Sequence, residues 1–386
     1  MNGPKFPIPE EFRSQVHHVD SLDNRSDEEI LHSLTKPVAL TSEKNIWTYW
    51  HAGVREMSAW CQRNVFNWIR LCGPSWSVRV LDNIPDSPNN ALKWVTPDLL
   101  PDTFVKGTMD GPYVGPHSAD FLRGACLQLH GGVWMDVGCI LIRSIDMICW
   151  KQLEDPESPF EVSCPWMYGT MMANHFVASR KGNQFIEYWH KLFIHLWQGR
   201  TNPGGILQNP LVQFGSEVKF EDSQARNFHW DFKVDIKTVM EYIGQVLAWL
   251  RLCMLEEPNG FNAREYYGNR VPIEDTVGFT GQQLFNVLAT RLDAQSEEYK
   301  AAYKTIWRVL TRATMQKITH GKNLTKTEAL GVLWDKPENE GKDIEPGTFA
   351  ELLRYGSVYF EQDRKEIDYV KAEMPDHVIR KGLLEP

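Results

Sequence analysis

The sequence predicts an α/β fold in which helices flank a mixed, mostly parallel sheet, with a helical part at the C-terminal end. A strand–helix–strand pattern over 45–82 and a helix–turn–strand–strand pattern over 118–146 predict the sheet. A third segment, from 236 to about 320, shows mostly helical periodicity and predicts the C-terminal helices. With 386 residues and 42% hydrophobic content, the chain can bury a large core.

The first pattern places a strand at 45–50, an amphipathic helix at 55–72 and a second strand at 76–82. Apolar residues of the helix fall near one face, and Gly73-Pro74 ends it. Two consecutive strands joined by a helix lie parallel, because the crossover returns the chain to the same end of the sheet. This segment therefore predicts a parallel pair of strands at the start of the domain.

The second pattern contains a helix, a two-glycine turn and a short apolar strand. Gly131-Gly132 stops the helix, since glycine accepts the left-handed geometry of a C-cap. The apolar residues 133–135 suit a strand buried on both faces, and Asp136 follows where that strand emerges. Another strand is expected at 139–145. Because α/β folds bind ligands at the carboxyl ends of strands, Asp136 is the first candidate for a functional residue.

Composition along the chain predicts three parts. Residues 1–44 are polar and contain several prolines, so we expect an N-terminal extension packed on the domain. Residues 45–235 form the α/β domain. Residues 236–386 form a mostly helical C-terminal region packed on it.

Charge and cysteine content exclude several classes of protein. The formal net charge of −9 disfavours indiscriminate nucleic-acid binding, and no DNA partner is expected. The N-terminus lacks the apolar core of a signal peptide, and no apolar run approaches the ~20 residues of a membrane span. We therefore expect a cytoplasmic protein with no membrane partner. The seven cysteines are scattered without a C-x-x-C pair, which indicates neither a disulfide framework nor a structural metal.

The segment 118–146 resembles the nucleotide-sugar signature of the glycosyltransferase A-type, Rossmann-like fold, in its capsular-polysaccharide-synthesis-like branch. In that branch a helix of the form S-D-x-x-R precedes G-G-x-x-x-D-x-D. Asp120 and Arg123 match the helix, while Gly131, Gly132 and Asp136 match the turn and the first aspartate. The second aspartate is replaced by glycine at position 138. The resemblance covers roughly residues 45–200 and implies fold more strongly than reaction.

The resemblance implies roles for the matching residues. Asp136 would hold a divalent cation against a diphosphate, but without a second aspartate it could instead bind a ribose hydroxyl or an ammonium group, or act as a general base. Asp120 and Arg123 would face the nucleotide, and His117 at the helix start could bind an anion or a leaving group. A structural ion pair and a helix cap are the simpler interpretations. No metal site and no cofactor are expected, except a divalent metal if the chain transfers sugars.

Three aromatic residues and two carboxylates are further candidates. Trp47, Tyr49 and His51 follow the opening strand and could form a platform for a base or sugar, although a core stripe is the more common use of such a pattern. Glu274 and Asp275 lie between Pro272 and a glycine-rich turn, so we expect a loop carboxylate pair with acid/base chemistry, or simply a solvated one.

A basic stripe occupies a segment without acidic residues, from Tyr299 to Lys326. Its cations recur every four residues on a predicted helix and continue beyond it. Such spacing gathers like charges on one face, and phosphate backbones are the usual partners of such a face. A solvated face is the alternative. The proposed phosphate-binding residues are Lys300, Lys304, Arg308, Arg312 and Lys317.

Two functions compete on these observations. The chain also resembles the fungal arginine-containing cyclodipeptide synthases, which join arginine to a second amino acid and use aminoacyl-tRNAs as donors. That resemblance implies arginyl-tRNA and a second aminoacyl-tRNA as partners. It also implies acyl transfer in which Asp120, Asp136, Glu274 and Asp275 divide base and guanidinium-binding roles. This synthase is the preferred hypothesis, and a cytosolic nucleotide-sugar glycosyltransferase with a degenerate D-x-D motif is the alternative. A binding protein that retains only the fold is a third interpretation.

Overall fold

The computed structural model of the chain describes residues 4–167, 171–218, 230–270, 273–275, 280–365, 369–370 and 374–386. Twelve short strands lie in these ranges. In chain order they are β1 Val16–His18, β2 Asn45–Tyr49, β3 Ser77–Leu81, β4 Gly132–Met135, β5 Cys139–Leu141, β6 Val162–Met167, β7 Met171–Met172, β8 Phe176–Ser179, β9 Ile273–Asp275, β10 Met315–Lys317, β11 Phe360–Gln362 and β12 Tyr369–Val370.

The described ranges also contain α-helices of 4 to 17 residues. In chain order they are α1 Asp27–Leu34, α2 Ala59–Cys72, α3 Asp102–Val105, α4 Val114–His130, α5 Lys151–Glu154, α6 Gln184–Leu196, α7 Ile236–Tyr242, α8 Gly244–Met254, α9 Ala263–Arg270, α10 Gly281–Ala289, α11 Glu297–Arg312, α12 Leu330–Trp334 and α13 Phe349–Tyr359.

A mixed sheet with helices on both sides forms the centre of the molecule, as predicted. Its strands lie in the order β12-β9-β6-β8-β4-β2-β3, and β7 pairs with β6 at its end. The strand β2, next to the edge strand β3, pairs in parallel with both β3 and β4. The strand β8 is antiparallel to β4 and β6, and β9 returns parallel to β6. The predicted strand–helix–strand unit over 45–82 and the predicted strand that ends at Asp136 therefore meet at the pairing of β2 with β4.

Both faces of this sheet are covered, which explains why β2 and β4 are buried along their whole length. Ile46 and Val133 point to one hydrophobic core, and Trp47 and Trp134 point to the other. In β2 and β4 successive side chains alternate between the two cores, as the two-residue period of a strand requires. The first core includes α2, α11 and α13, and the second includes α4, α6 and α8. The sheet is consequently the layer between two helical layers.

One predicted strand does not join the main sheet. The segment 139–145 was expected to share one sheet with 45–50, 76–82 and 133–136. Only Cys139–Leu141 is a strand, and β5 pairs antiparallel with β10 in a separate two-stranded sheet. A tight turn causes this change of direction, because the Cys139 amide donates to the Asp136 carbonyl at 3.0 Å. Helix α2 fixes the turn through Asn64, whose side chain donates to the Val137 carbonyl at 2.7 Å.

A second correction concerns Glu274 and Asp275. They were expected in a loop, but their backbone belongs to β9, where Glu274 pairs with Pro165 of β6. Their side chains lie outside the described residues.

Two structural findings concern the cysteines and the length of the helices. All seven cysteines are free and buried. Across the ranges described above, none of the helices combines the length and the apolar character needed to cross a membrane.

Candidate active site

A cavity of about 250 Å³ opens at the carboxyl end of β4. It lies where the end of β4, the turn before β8, helices α7 and α10, and the segment after β10 come together. The polar side chains that line it come from segments far apart in sequence. They include Asp136, Asn174, His175, Asp231, Lys317 and Thr319.

Asp136 is held at the cavity wall by the strands on which it sits. Its backbone amide donates to the His175 carbonyl at 2.9 Å, which continues the β4–β8 ladder by one residue. One carboxylate oxygen, Oδ1, accepts from the indole Nε1 of Trp134 at 3.0 Å. The side chain remains 26% exposed, so it can reach a ligand in the cavity.

Arg123 of α4 links Asp136 to Asp120. Its guanidinium donates to Asp136 Oδ1 at 3.1 Å and also bonds Asp120, which lies one helical turn earlier. Only 2% of the Arg123 side chain is exposed, and the guanidinium lies over the Trp134 ring at 5.4 Å from its centroid. Asp120, Arg123 and Asp136, the charged residues that matched the motif, therefore form one hydrogen-bonded cluster.

Lys317 of β10 completes the charge arrangement around Asp136. Its Nζ lies 2.7 Å from Asp136 Oδ2, the oxygen that Arg123 does not contact. The register of β10 against β5 sets this position, because Lys317 pairs with Cys139 just after the Asp136 turn. Each carboxylate oxygen of Asp136 therefore has its own cation.

These cations decide the protonation state of the site. Burial alone would raise the pKa of Asp136, but the Lys317 ammonium and the Arg123 guanidinium outweigh burial and hold that pKa well below its usual range. Burial, together with the same two cations, lowers the pKa of His175 to about 3. At neutral pH Asp136 is an anion and His175 a neutral imidazole. Asp136 is therefore suited to accept hydrogen bonds rather than protons.

Two amides that the sequence analysis missed hold the cluster rigid. Gln245 of α8 bonds Arg123 and donates to the Asp120 carbonyl at 2.6 Å. Asn174 donates to the Gln245 amide oxygen at 2.9 Å and to Asp120 Oδ1 at 3.2 Å. Gln245 had a signal in the sequence, since it is a polar residue near the start of a helix that is otherwise largely apolar. In the structure Gln245 is only 1% exposed.

Position 138, where the motif has its second aspartate, has no room for a side chain. A Cβ built on Gly138 would lie 1.9 Å from Thr319 Oγ1 and 2.9 Å from Thr319 Cβ. Within the described ranges, His, Cys, Asp and Glu side chains nowhere gather in a group of three that could hold a metal ion. Because Lys317 and Arg123 also occupy the Asp136 oxygens, the residues at this site do not fit a divalent cation.

The other predicted binding residues lie away from this cavity wall. Trp47 is fully buried in a hydrophobic core, where its indole donates to the Gly131 carbonyl at 3.0 Å, and Tyr49 belongs to the same core. His51 is exposed beyond the end of β2. His117 is 2% exposed and places Nδ1 3.3 Å from Asp120 Oδ2, behind the cluster.

The predicted basic stripe is divided by the structure. Lys300, Lys304, Arg308 and Arg312 are exposed on α11, and Lys300 pairs with Glu297 at 2.7 Å. None of these four is among the residues that line the cavity. Lys317, which the sequence placed at the end of the same stripe, points instead into the site at Asp136.

Comparison with known proteins identifies the relatives of the chain. Residues 8–205 match the capsular polysaccharide synthesis protein family. The probable glycosyltransferase FCK3 of Fusarium pseudograminearum is 49% identical over 98% of this chain and 99% of its own length. The O-glycosyltransferase braB of Annulohypoxylon truncatum is 37% identical over 95% and 92%, respectively. The glycosyltransferase afumC of Aspergillus fumigatus is 35% identical over 93% and 95%.

These relatives overturn the preferred functional hypothesis. Proteins that align over almost the entire chain are named glycosyltransferases, so the prediction of a cyclodipeptide synthase is wrong. The predicted aminoacyl-tRNA partners are wrong for the same reason. The prediction of a transferase is confirmed. The match over 8–205 and the near-complete alignment with FCK3 show that the chain belongs to the capsular polysaccharide synthesis protein family.

Proposed function

We propose that the chain is a glycosyltransferase that moves a sugar from a nucleotide-sugar to the hydroxyl oxygen of a small acceptor with an apolar body. The observation that carries this proposal is the cluster of Asp120, Arg123 and Asp136 at a cavity on the carboxyl edge of the sheet. Relatives across the full length are named glycosyltransferases, and two are named O-glycosyltransferases.

The reaction moves one sugar and one proton. The acceptor oxygen forms a bond to the anomeric carbon, and the bond from that carbon to the diphosphate oxygen breaks with its electron pair on the diphosphate. The proton of the acceptor hydroxyl leaves to a base. Asp136, which lines the cavity, would accept hydrogen bonds from donor hydroxyls. Arg123, which Asp120 also bonds, fixes Asp136 in place before the donor binds.

Asp231 is positioned to act on the acceptor. It is the second carboxylate that lines the cavity, and its Oδ2 accepts from the Thr327 hydroxyl at 2.7 Å and from the Thr327 amide at 3.1 Å. Asp136 is already paired with two cations, whereas these two donors to Asp231 are neutral. Asp231 is therefore the better general base for an acceptor hydroxyl.

The remaining wall of the cavity supports an apolar acceptor. Apolar side chains on four helices, at the junction of α7 and α8, on β10 and on the segment after β10 face the cavity. Pockets of this composition bind small molecules through their apolar surface. These side chains are Val239, Ile243, Val246, Leu284, Met315, Ile318, Leu324 and Leu330.

A transfer assay tests this function. The protein is incubated with UDP- and GDP-sugars and an apolar phenol such as 4-methylumbelliferone, with methyl glucoside as the polar acceptor. We expect mass spectrometry to show the phenol glycoside and stoichiometric release of nucleoside diphosphate, and Asp231→Asn to abolish both. Transfer to methyl glucoside with none to the phenol would contradict the apolar acceptor. Absence of transfer from every donor would contradict the function itself.

A further inference from the structure

We propose that Lys317 takes the place of the divalent cation in this site, so that its ammonium group stabilises the leaving diphosphate and sugar transfer needs no metal. This inference rests on the proposed function. It assigns a catalytic role in that function to Lys317, which the sequence analysis had placed in the basic stripe. Three independent observations support it.

The first observation is the charge balance around Asp136. A complete D-x-D site would contain the Asp120 and Arg123 pair, two aspartates and a dication, and its formal charge would be zero. In this chain the second aspartate and the dication are both replaced, and Asp120, Arg123, Asp136 and Lys317 also sum to zero. Loss of a dication and one carboxylate removes one net positive charge from the site, and the ammonium group of Lys317 supplies one positive charge.

The second observation is steric. The residue two positions after Lys317, Thr319, occupies the space that a side chain at position 138 would need. The residue between them, Ile318, donates its amide to the Gly138 carbonyl at 2.9 Å. A single segment, 317–319, thus excludes the second aspartate and supplies the replacing cation. The glycine is consequently part of a different arrangement of the site, and the site is complete without an aspartate there.

The third observation concerns the donors that Lys317 has left. An ammonium group has three hydrogen-bond donors, and in the described part of the chain one of them is used, by Asp136 Oδ2 at 2.7 Å. The Lys317 side chain lines the cavity and is 24% exposed. Negative charge grows on the diphosphate as the sugar–oxygen bond breaks. A cation already held by Asp136 stabilises that charge without having to reorient.

The decisive experiment compares wild type, Lys317→Ala and Lys317→Arg in EDTA and in Mn²⁺. Lys304→Ala is the matched control, because it removes an exposed lysine of the same charge outside the cavity. We expect the wild type to transfer sugar equally in EDTA and in Mn²⁺. Lys317→Ala should lose about 10²-fold or more in kcat, Lys317→Arg should recover part of that loss, and Lys304→Ala should match the wild type. Wild-type transfer that EDTA abolishes and Mn²⁺ restores would overturn the proposal.

Binding measurements keep the proposal testable if no donor is found or if a variant folds poorly. Calorimetry in EDTA compares UDP with uridine and GDP with guanosine, so that the diphosphate is the only difference. We expect one diphosphate to bind the wild type at least tenfold more tightly than its nucleoside, and Lys317→Ala to lose that difference while its nucleoside affinity is unchanged. Diphosphate binding that requires Mn²⁺, or that Lys317→Ala leaves intact, would overturn the role of Lys317. Failure of transfer with intact diphosphate binding in EDTA would contradict the proposed function alone.

Discussion

The basic face of α11 and Lys317 of β10 lie in the same acid-free stretch of sequence, yet the fold gives them opposite environments. Lys300, Lys304, Arg308 and Arg312 extend into solvent. Lys317 lies in the cavity wall, where its ammonium nitrogen is 2.7 Å from the Asp136 carboxylate. The spacing of charges along a chain predicts which helix face they share. It does not predict which of them meets a counter-charge, and the chemistry depends on that counter-charge.

The energetic difference between the two regions follows from their exposure. Charges in solvent are screened within about 8–10 Å at physiological salt, and exposed pairs contribute about 0–1 kcal/mol. A cation held in a cavity wall acts on a ligand through a poorly screened field. Four variants, from the largest expected effect to the smallest, test whether function and stability depend on the cavity rather than on the exposed face.

Asp136→Asn should have the largest effect. It keeps the shape of the side chain but leaves Arg123 and Lys317 without their shared counter-charge. We expect kcat/KM for sugar transfer to fall by about 10²-fold or more, because the donor-binding hydrogen bonds lose their geometry. Asp293→Asn, in an exposed ion pair with Arg291, is the control and should leave transfer unchanged. Near wild-type transfer by a folded Asp136→Asn protein would remove Asp136 from the donor site.

Gly138→Ala tests the contact between the turn and β10. The added methyl group would collide with Thr319, and overpacking of this kind costs about 1–3 kcal/mol. Gly115→Ala is the matched control, since nothing lies within 4 Å of a Cβ at that position in α4. Urea denaturation should show a lower free energy of unfolding for Gly138→Ala and an unchanged or higher value for Gly115→Ala. Equal stability of the two variants would mean that Thr319 does not fill position 138.

His175→Gln should change how stability depends on pH. The pKa of His175 is about 3 in the folded protein and about 6.5 when unfolded, so below pH 6.5 the unfolded state binds a proton that the folded state does not. Wild-type stability should therefore fall as the pH is lowered from about 6.5 towards 4. His175→Gln cannot bind that proton, and its unfolding free energy should fall less over the same range. Parallel curves would show that His175 is protonated normally in the cavity.

The double change Lys304→Glu and Arg308→Glu should have the smallest effect. Both side chains are exposed on α11 and lie outside the cavity lining, so we expect a change in unfolding free energy within about 0.5 kcal/mol and unchanged sugar transfer. Denaturation and transfer assays measure both. A large loss of transfer would show that the exposed face of α11 takes part in the reaction, and it would contradict the view that only Lys317 in the cavity does so.

Local patterns in the sequence predicted the parts of the fold that local residues determine. The strands β2, β3 and β4, the helices α2 and α4, and Asp136 at a cavity follow from apolar periodicity and from Gly131-Gly132. The strand β9, which lies between β12 and β6, was missed because β6 lies more than 100 residues earlier, and no local pattern indicates that pairing. The division into 1–44, 45–235 and 236–386 stays a prediction.

In the candidate site, too, the sequence predicted only the residues that a local pattern marks. Asp120 and Arg123 were found because they share a helix face with a recognisable motif. Lys317 was found as a cation but was given the wrong partner, since Asp136 lies 181 positions away in sequence. Gln245 and Asn174 were missed because their roles exist only where α8 and the β7–β8 turn converge on Asp120.

The distance between Asp136 and its partner on β10 has a consequence for how the protein is made. During synthesis the strand β4 leaves the ribosome long before β10, so Asp136, Arg123 and the turn at Gly138 are exposed while the cavity lacks one wall. The site becomes functional only when the chain has grown past Thr319, and a shortened chain that retains the entire family-matched segment 8–205 would have the motif without the active site. Pairing between segments so far apart in sequence forms slowly. Folding of the last third of the chain onto the sheet is therefore the step that completes the active site.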